Sequence, residues 1–357
     1  MPLDMEIGLI FNMGKVTIQS MARELGFSRN TVSMALKGNE TVAPQTREMI
    51  LRYAERAGYP GVYSTGRDME PDENATYHIM ILRKPDMAVY WDKIISGISE
   101  EACRNQCQTQ VAVVTNEAEE RLRLPLGLDE SIHAVFCVKM LNRDYIKKIK
   151  AMGIQIYMLD NYKDEGEELL GDVVKMESFH PVMQLTRHLL GQGMKRIGFL
   201  NETSSLYESM NDRYSGYLYA MGTAGIRPDA DIVMPDVDSS TFYYPETFEK
   251  IVEEYGTLPE AVVCGNDSIA RYLTQAFRKK GIRVPEDVAV TGFDNDEEDM
   301  LTPFFTTVNV DAKWLGKRMV QCFLWRIRHP DAPYEKVAVS GQIVIRKSSC
   351  RQRKNEK

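Results

Sequence analysis

The sequence predicts an α/β protein in two parts, a small all-α headpiece followed, after a linker, by a two-lobed body of parallel sheets. Three observations predict it. Residues 16–36 hold two short capped helical stretches separated by a glycine. From Tyr77 onward short apolar runs alternate with amphipathic helical stretches, the pattern of parallel strands covered by helices. These elements are too many for one sheet and its helices, so they divide between two lobes.

Residues 1–14, MPLDMEIGLIFNMG, carry no caps and little periodicity, and Met13 reads as the better initiator. If Met13 starts the chain the prefix is an artefact, and otherwise it is an extra arm or strand. In VTIQSMARELGFSRNTVSMAL (16–36) Thr17 caps a helix whose apolar side holds Ile18, Met21, Ala22 and Leu25. Gly26 ends it with a left-handed residue. Ser28 caps a second helix, which Val32 and Leu36 bury against the first. A small Ala22, a glycine four residues later and Val32 six after that is helix-turn-helix spacing, although an ordinary packed helix pair shares it. The polar face of the second helix carries Arg29, Asn30, Ser33 and Lys37, with Met34 among them. Pro44 starts a third helix with an apolar stripe of Ile50, Leu51, Ala54 and Ala57, and Gly58 stops it. Residues 15–59 thus form the headpiece. Residues 60–76, PGVYSTGRDMEPDENAT, have neither strand nor helix period and read as a linker.

In the body, residues 77–347, strands are expected at 78–82, 110–114, 134–138, 154–159, 173–176, 196–200, 232–234, 261–264 and 288–291. Helices are expected at 90–105, 145–152, 181–192, 213–224, 247–255, 267–280 and 311–328. Residues 348–357 read as a basic tail. Ligands of such folds bind at the carboxyl ends of the strands, between the lobes.

Charge and composition narrow the function. With 43% hydrophobic and 27% charged residues the chain is ordinary for a soluble protein. No apolar run approaches the ~20 residues that span a bilayer, so a cytoplasmic location is expected. The net charge of −7 is unevenly spread, because residues 14–60 carry seven basic against four acidic side chains. A basic head on an acidic body suits one module that meets phosphates and another that does not. Cys103 and Cys107 are close but lack two further ligands, so reduced thiols are expected rather than zinc. No phosphate-cradling loop, nucleophile elbow or metal spacing of the five histidines is present, and the acidic run at 294–299 lacks calcium-loop spacing. Neither an enzyme nor a cofactor is expected.

With head, linker and body in place, the chain resembles the lactose-repressor (LacI/GalR) family of bacterial transcription regulators over roughly residues 15–347. The head carries T-V-S, V-x-x-x-T-R-E and a terminal A-G-Y. The body carries LLGQGMKRIGFL, NDRYSGYLYAM, CGNDSIARYLTQAFRKKGIRVPEDVAVTGFDN and LTPFFTTVNVD. The resemblance implies a periplasmic-binding-protein-like body, a homodimer, a pseudo-palindromic operator in double-stranded DNA, and a small-molecule, sugar-like effector. It implies a repressor of carbohydrate-utilisation genes.

Position by position, it implies that Arg29, Asn30 and Met34 read bases and that Thr17, Thr31, Ser33 and Lys37 contact phosphates. Arg pairs bidentately with guanine and Asn with adenine. Arg213 and Asp294 match effector-binding positions, where a guanidinium and a carboxylate suit vicinal hydroxyls. Asp160 and Asn266 lie at strand ends facing the same crevice, with helix or loop capping as an equal reading. Trp91, Tyr90 and Phe242 are the aromatic candidates, with core packing as the alternative. Three departures stand out. Residues 60–76 lack the hinge-helix pattern, and Gly61, Gly66 and Pro71 oppose a helix. Met34 replaces a frequent base-reading arginine, and Ala43 replaces the usual cap of the third helix. A solute-binding protein of the transport type shares the two-lobed body, but it predicts a signal peptide and no basic head. A cytoplasmic α/β enzyme is the third reading.

Overall fold

A computed structural model describes residues 17–36, 42–56, 76–85, 89–139, 141–162, 168–202, 207–233, 242–296 and 303–350. The chain divides into two compact units, one holding the N-terminal helices and the other nearly all of the α/β part. Val16, Lys37, Ala57, Gly58, the prefix and nearly all of the linker lie outside the described residues.

The head is three helices, α1 (Ile18–Leu25), α2 (Arg29–Leu36) and α3 (Pro44–Arg56). Thr17 and Ser20 form a reciprocal capping box at the start of α1, and Gly26 closes it at φ 73°. The Ser28 hydroxyl accepts from Thr31 N at 3.0 Å and opens α2. Met21, Ala22, Val32, Ala35, Leu36, Val42, Ile50 and Ala54 pack into one core. The periodicity that predicted the helix-turn-helix is therefore the periodicity of its buried face.

The first lobe of the body runs β1 (Tyr77–Arg83), α4 (Val89–Arg104), β2 (Cys107–Val113), α5 (Asn116–Glu120), β3 (Ala134–Cys137), α6 (Arg143–Lys150), β4 (Gln155–Leu159) and β5 (Asp172–Met176). The second runs α7 (Phe179–Gly191), β6 (Ile197–Leu200), α8 (Glu208–Thr223), α9 (Pro245–Glu254), β7 (Ala261–Cys264), α10 (Asp267–Lys279), β8 (Ala289–Thr291) and β9 (Thr307–Asn309). The chain then returns through α11 (Ala312–Arg328) and β10 (Lys336–Val339) to the first lobe, and through β11 (Gln342–Val344) to the second. The first sheet, β2-β1-β3-β4-β5-β10, is parallel throughout. The second has β6-β7-β8 in parallel, with β9 and β11 forming a separate antiparallel pair. Strands such as Ala134–Cys137 and Ala261–Cys264 are buried along their whole length, as strands covered on both faces must be.

Helices α4 and α11 touch backbone to backbone. A Cβ on Gly316 would stand 2.1 Å from Ile94 O, and one on Gly97 would stand 2.0 Å from Lys313 O. At the far edge of the first sheet Arg326 forks onto Asp172 at 2.9 and 2.7 Å, both groups buried.

Two expectations are corrected. The strand expected at 232–234 is a short 3-10 turn at Ala230–Ile232, because the Asp229 side chain caps Asp231 N; only Val233 bridges to Phe199. The tail does not begin at 348. Ser348 and Ser349 are wholly buried, with Ser348 Oγ donating to Val290 O at 2.6 Å and accepting from Thr306 N. Residues 351–357 lie outside the described residues. Among the described residues no helix is long and apolar enough to cross a membrane.

Candidate functional site

In the head, Arg29 and Asn30 stand exposed at the first two positions of α2. Thr17 is exposed, but its hydroxyl is taken up by the capping box. Thr31 is half-buried, its hydroxyl 2.8 Å from that of Ser28. Ser33 is half-buried, and Met34 packs against the apolar core of the head. Lys37 lies outside the described residues.

In the body, a cavity of 640 Å³ opens between the lobes at the carboxyl ends of β4, β5, β7 and β8. Arg213, on α8, is its centre. The side chain is 1% exposed and its guanidinium lies flat on the Phe293 ring, 3.7 Å from the centroid. Nη1 donates to Gly265 O, while Nη2 lies 3.7 Å from Met176 Sδ and 3.5 Å from Asp294 Oδ1. Asp294 follows β8 in a left-handed conformation, φ 94°. Its carboxyl is raised to about 6, chiefly by burial, with Arg213 drawing it down and Asp296 adding to the rise. Arg213 Nε, Asp294 Oδ1 and the neighbouring Asn201 Oδ1 are buried without a hydrogen-bond partner. Each unsatisfied atom costs about 1–3 kcal/mol, which a bound molecule carrying donors and acceptors recovers.

Asp160 and Asn266 both face this cavity, and both are caps. Asp160 Oδ1 accepts from Asn161 N (2.7 Å) and Ser209 N (3.3 Å), and Oδ2 accepts from Ser209 Oγ. It thereby closes the first turn of α8 from the other lobe, and burial raises its pKa against those bonds. Asn266 Oδ1 accepts from Ile269 N at 2.8 Å as the N-cap of α10, and its Nδ2 donates to Tyr243 OH at 3.2 Å. Tyr90 is buried with its hydroxyl on Met176 Sδ, and Trp91 meets it edge to face. Phe242 does not line the cavity. It is 1% exposed and packs on Phe248 in the core of the second lobe, while the adjacent Tyr243 lines the cavity instead.

Sequence reasoning missed the ionic tie beside the cavity. Lys175 on β5, only 8% exposed, reaches Glu208 at 2.5 Å and Asp212 at 2.7 Å on α8. Lys336 on β10 and Asn161 both hold Glu208 Oε2, at 2.8 and 2.7 Å. Burial alone would raise Glu208, but these three donors outweigh it and hold the carboxyl at about 2. No local motif marks residues separated by such stretches of chain. Tyr207, which lines the cavity and faces Trp91 with ring centroids 6.4 Å apart, was also missed.

A three-helix head with an exposed polar helix start, and a two-lobed body with a ligand-sized cleft, define the class of two-lobed proteins that carry a helix-turn-helix. Residues 186–349 match the periplasmic binding protein-like domain. The HTH-type transcriptional repressor PurR of Pasteurella multocida is 27% identical over 347 residues, covering 93% of this chain and 98% of that one. The transcriptional regulator CelR–cellobiose complex superposes with a TM-score of 0.64 at 20% identity, covering 93% and 99% of the two chains. The lac repressor dimer bound to operator and the anti-inducer ONPF gives 0.64 at 19%, covering 94% and 99%. Over nearly its whole length the chain is thus similar to transcriptional repressors of the lactose-repressor type. These relatives are transcriptional regulators, not enzymes.

Proposed function

We propose that the chain is a cytoplasmic, homodimeric, sequence-specific repressor of carbohydrate-utilisation genes, controlled by a sugar-like molecule in the inter-lobe cleft. The observation that carries the reading is the pairing of an exposed Arg29–Asn30 helix start with a cleft holding unsatisfied Arg213 and Asp294 atoms. Arg29 and Asn30 read base edges, each for about 1–3 kcal/mol of discrimination. Thr17, Thr31, Ser33 and Lys37 hold phosphates around them, the first two at helix N-termini that favour an anion. Met34 presents little to a base, since it packs inward. In the cleft, Arg213 Nε and Asp294 Oδ1 meet hydroxyls while Trp91 and Tyr90 cover an apolar ring face. Asp160 and Asn266 shape that site through their caps. The structure seen with cellobiose supports a sugar, and the one on operator supports the DNA partner.

Binding in the cleft changes the lobe geometry and so the spacing of two heads over a two-fold site. A gel-shift selection on the intact protein with a random duplex library tests it. Enrichment of one palindrome is expected, and no selective enrichment overturns the reading.

A further inference from the structure

The cleft is built against anions, and this bears on which effector it takes. Five carboxylates line it, against one lysine and one arginine. A phosphate would need a free guanidinium fork, a free ammonium or an open helix N-terminus. Arg213 turns Nη1 to Gly265 O and Nη2 to Met176 Sδ and Asp294, and its Nε is buried with no partner. Lys139 already has a partner within the protein. Three helices begin at the cavity, α4, α8 and α10; the starts of α8 and α10 are closed, by Asp160 on Ser209 N and by Asn266 on Ile269 N, and the first turn of α4 carries Asp92. Those of α8 and α10 also carry a negative residue of their own, Glu208 and Asp267.

Among the described residues, the two cationic side chains that line the cleft, Arg213 and Lys139, are both engaged within the protein. Asp294 Oδ1 has no hydrogen-bond partner, and its ion pair with Arg213 is long at 3.5 Å. Tyr90, Trp91, Tyr207, Tyr243 and Tyr272 line the same space, and an aromatic face turned to a ligand attracts a cation rather than an anion. Arg213 Nε, the one unsatisfied donor, still suits a hydroxyl.

Resting on the sugar-binding reading above, we infer that the effector is an aminated polyol whose ammonium group meets Asp294, and that the cleft rejects phosphorylated sugars. Asp294 is then the residue that sets this specificity, while Arg213 orients the hydroxyls.

Isothermal titration of the full chain tests it with glucose, galactose and mannose, each as the free sugar, the 2-amino sugar and the 6-phosphate. On a skeleton that binds, the amino form is expected about tenfold tighter than the free sugar, the worth of one charged hydrogen bond, and the phosphate about a hundredfold weaker. Asp294→Asn should bring the amino and free forms to within about twofold, the charge being the only group lost. Glu202→Gln, which changes another lining carboxylate, should leave most of the tenfold ratio. An amino form no tighter than its free sugar, a phosphate form at least as tight, or no binding by any of the nine overturns the inference. A gel shift on the same preparation stays positive in each case if the regulator reading holds, so the two failures are distinguishable.

Discussion

Replacing Glu208 by glutamine should loosen the tie between the lobes by about 2–3 kcal/mol at neutral pH. The magnitude follows from its carboxyl, held at about 2 against an ordinary 4.5 by Lys175, Lys336 and Asn161 after overcoming burial. That gap of about 2.5 in pKa is worth roughly 3 kcal/mol. The loss falls short of the 3–5 kcal/mol typical of an orphaned buried charge, at about 2–3, because Asp212 stays 2.7 Å from Lys175. The group's folded pKa is depressed, so its contribution is present above 4.5 and is lost as the pH falls toward 2. Urea unfolding of the two proteins from pH 7 to pH 3 reads this out, with the difference shrinking to about half by pH 3. A scan at pH 7 should show a drop of about 3–6 °C in the midpoint. A difference below about 0.5 kcal/mol, the level of an ordinary surface substitution, refutes the reasoning. So does one that is the same at both pH values.

Asp294 runs the other way. Its folded pKa is raised from 3.8 to about 6, so stability is highest below 3.8 and falls as the pH rises through 6. Asp294→Asn should therefore raise the ligand-free melting temperature at pH 7 and leave it nearly unchanged at pH 4. Gly316→Ala drives a Cβ to 2.1 Å from Ile94 O and should cost about 1–3 kcal/mol in chemical unfolding. Gly222→Ala, in the last turn of α8 with nothing within 4 Å of the new Cβ, should gain up to about 1 kcal/mol; equal effects would refute the packing argument. Arg29→Ala should relax operator selection at one base pair by about 1–3 kcal/mol, measured by competition gel shift, without lowering the headpiece melting temperature.

Legibility followed locality. The helix-turn-helix and the buried parallel strands were readable because their periods and caps lie within a few residues of one another. Helix α8 was placed at 213 and begins at Glu208, because no side chain at Tyr207 caps it; the cap comes from Asp160, at the end of a strand in the other lobe. Strands β9 to β11 were missed because they are three or four residues long and their partners lie far away in sequence, as with Lys336–Val339 on Val173–Met176. Arg213 and Asp294 were legible through motifs. Glu208, Lys175 and Lys336 were not, since only the fold brings the three together.

The capping residue and the missed ionic residues meet in one helix. Asp160, read from the sequence as either an effector contact or a cap, lines the cavity and fixes the first turn of α8, the turn that also carries Glu208. Arg213, about a turn and a half further along, stands on the same rigid rod. A molecule that draws on Arg213 Nε or Asp294 Oδ1 therefore pulls on a helix whose start is bound to the first lobe by a cap and by two lysines. Rotation of that helix cannot satisfy the cleft without changing the distances to Asp160, Lys175 and Lys336. On the proposed reading, effector contact would be coupled to lobe geometry through α8 itself, whose start hydrogen-bonds Asp160, Lys175 and Lys336 of the first lobe.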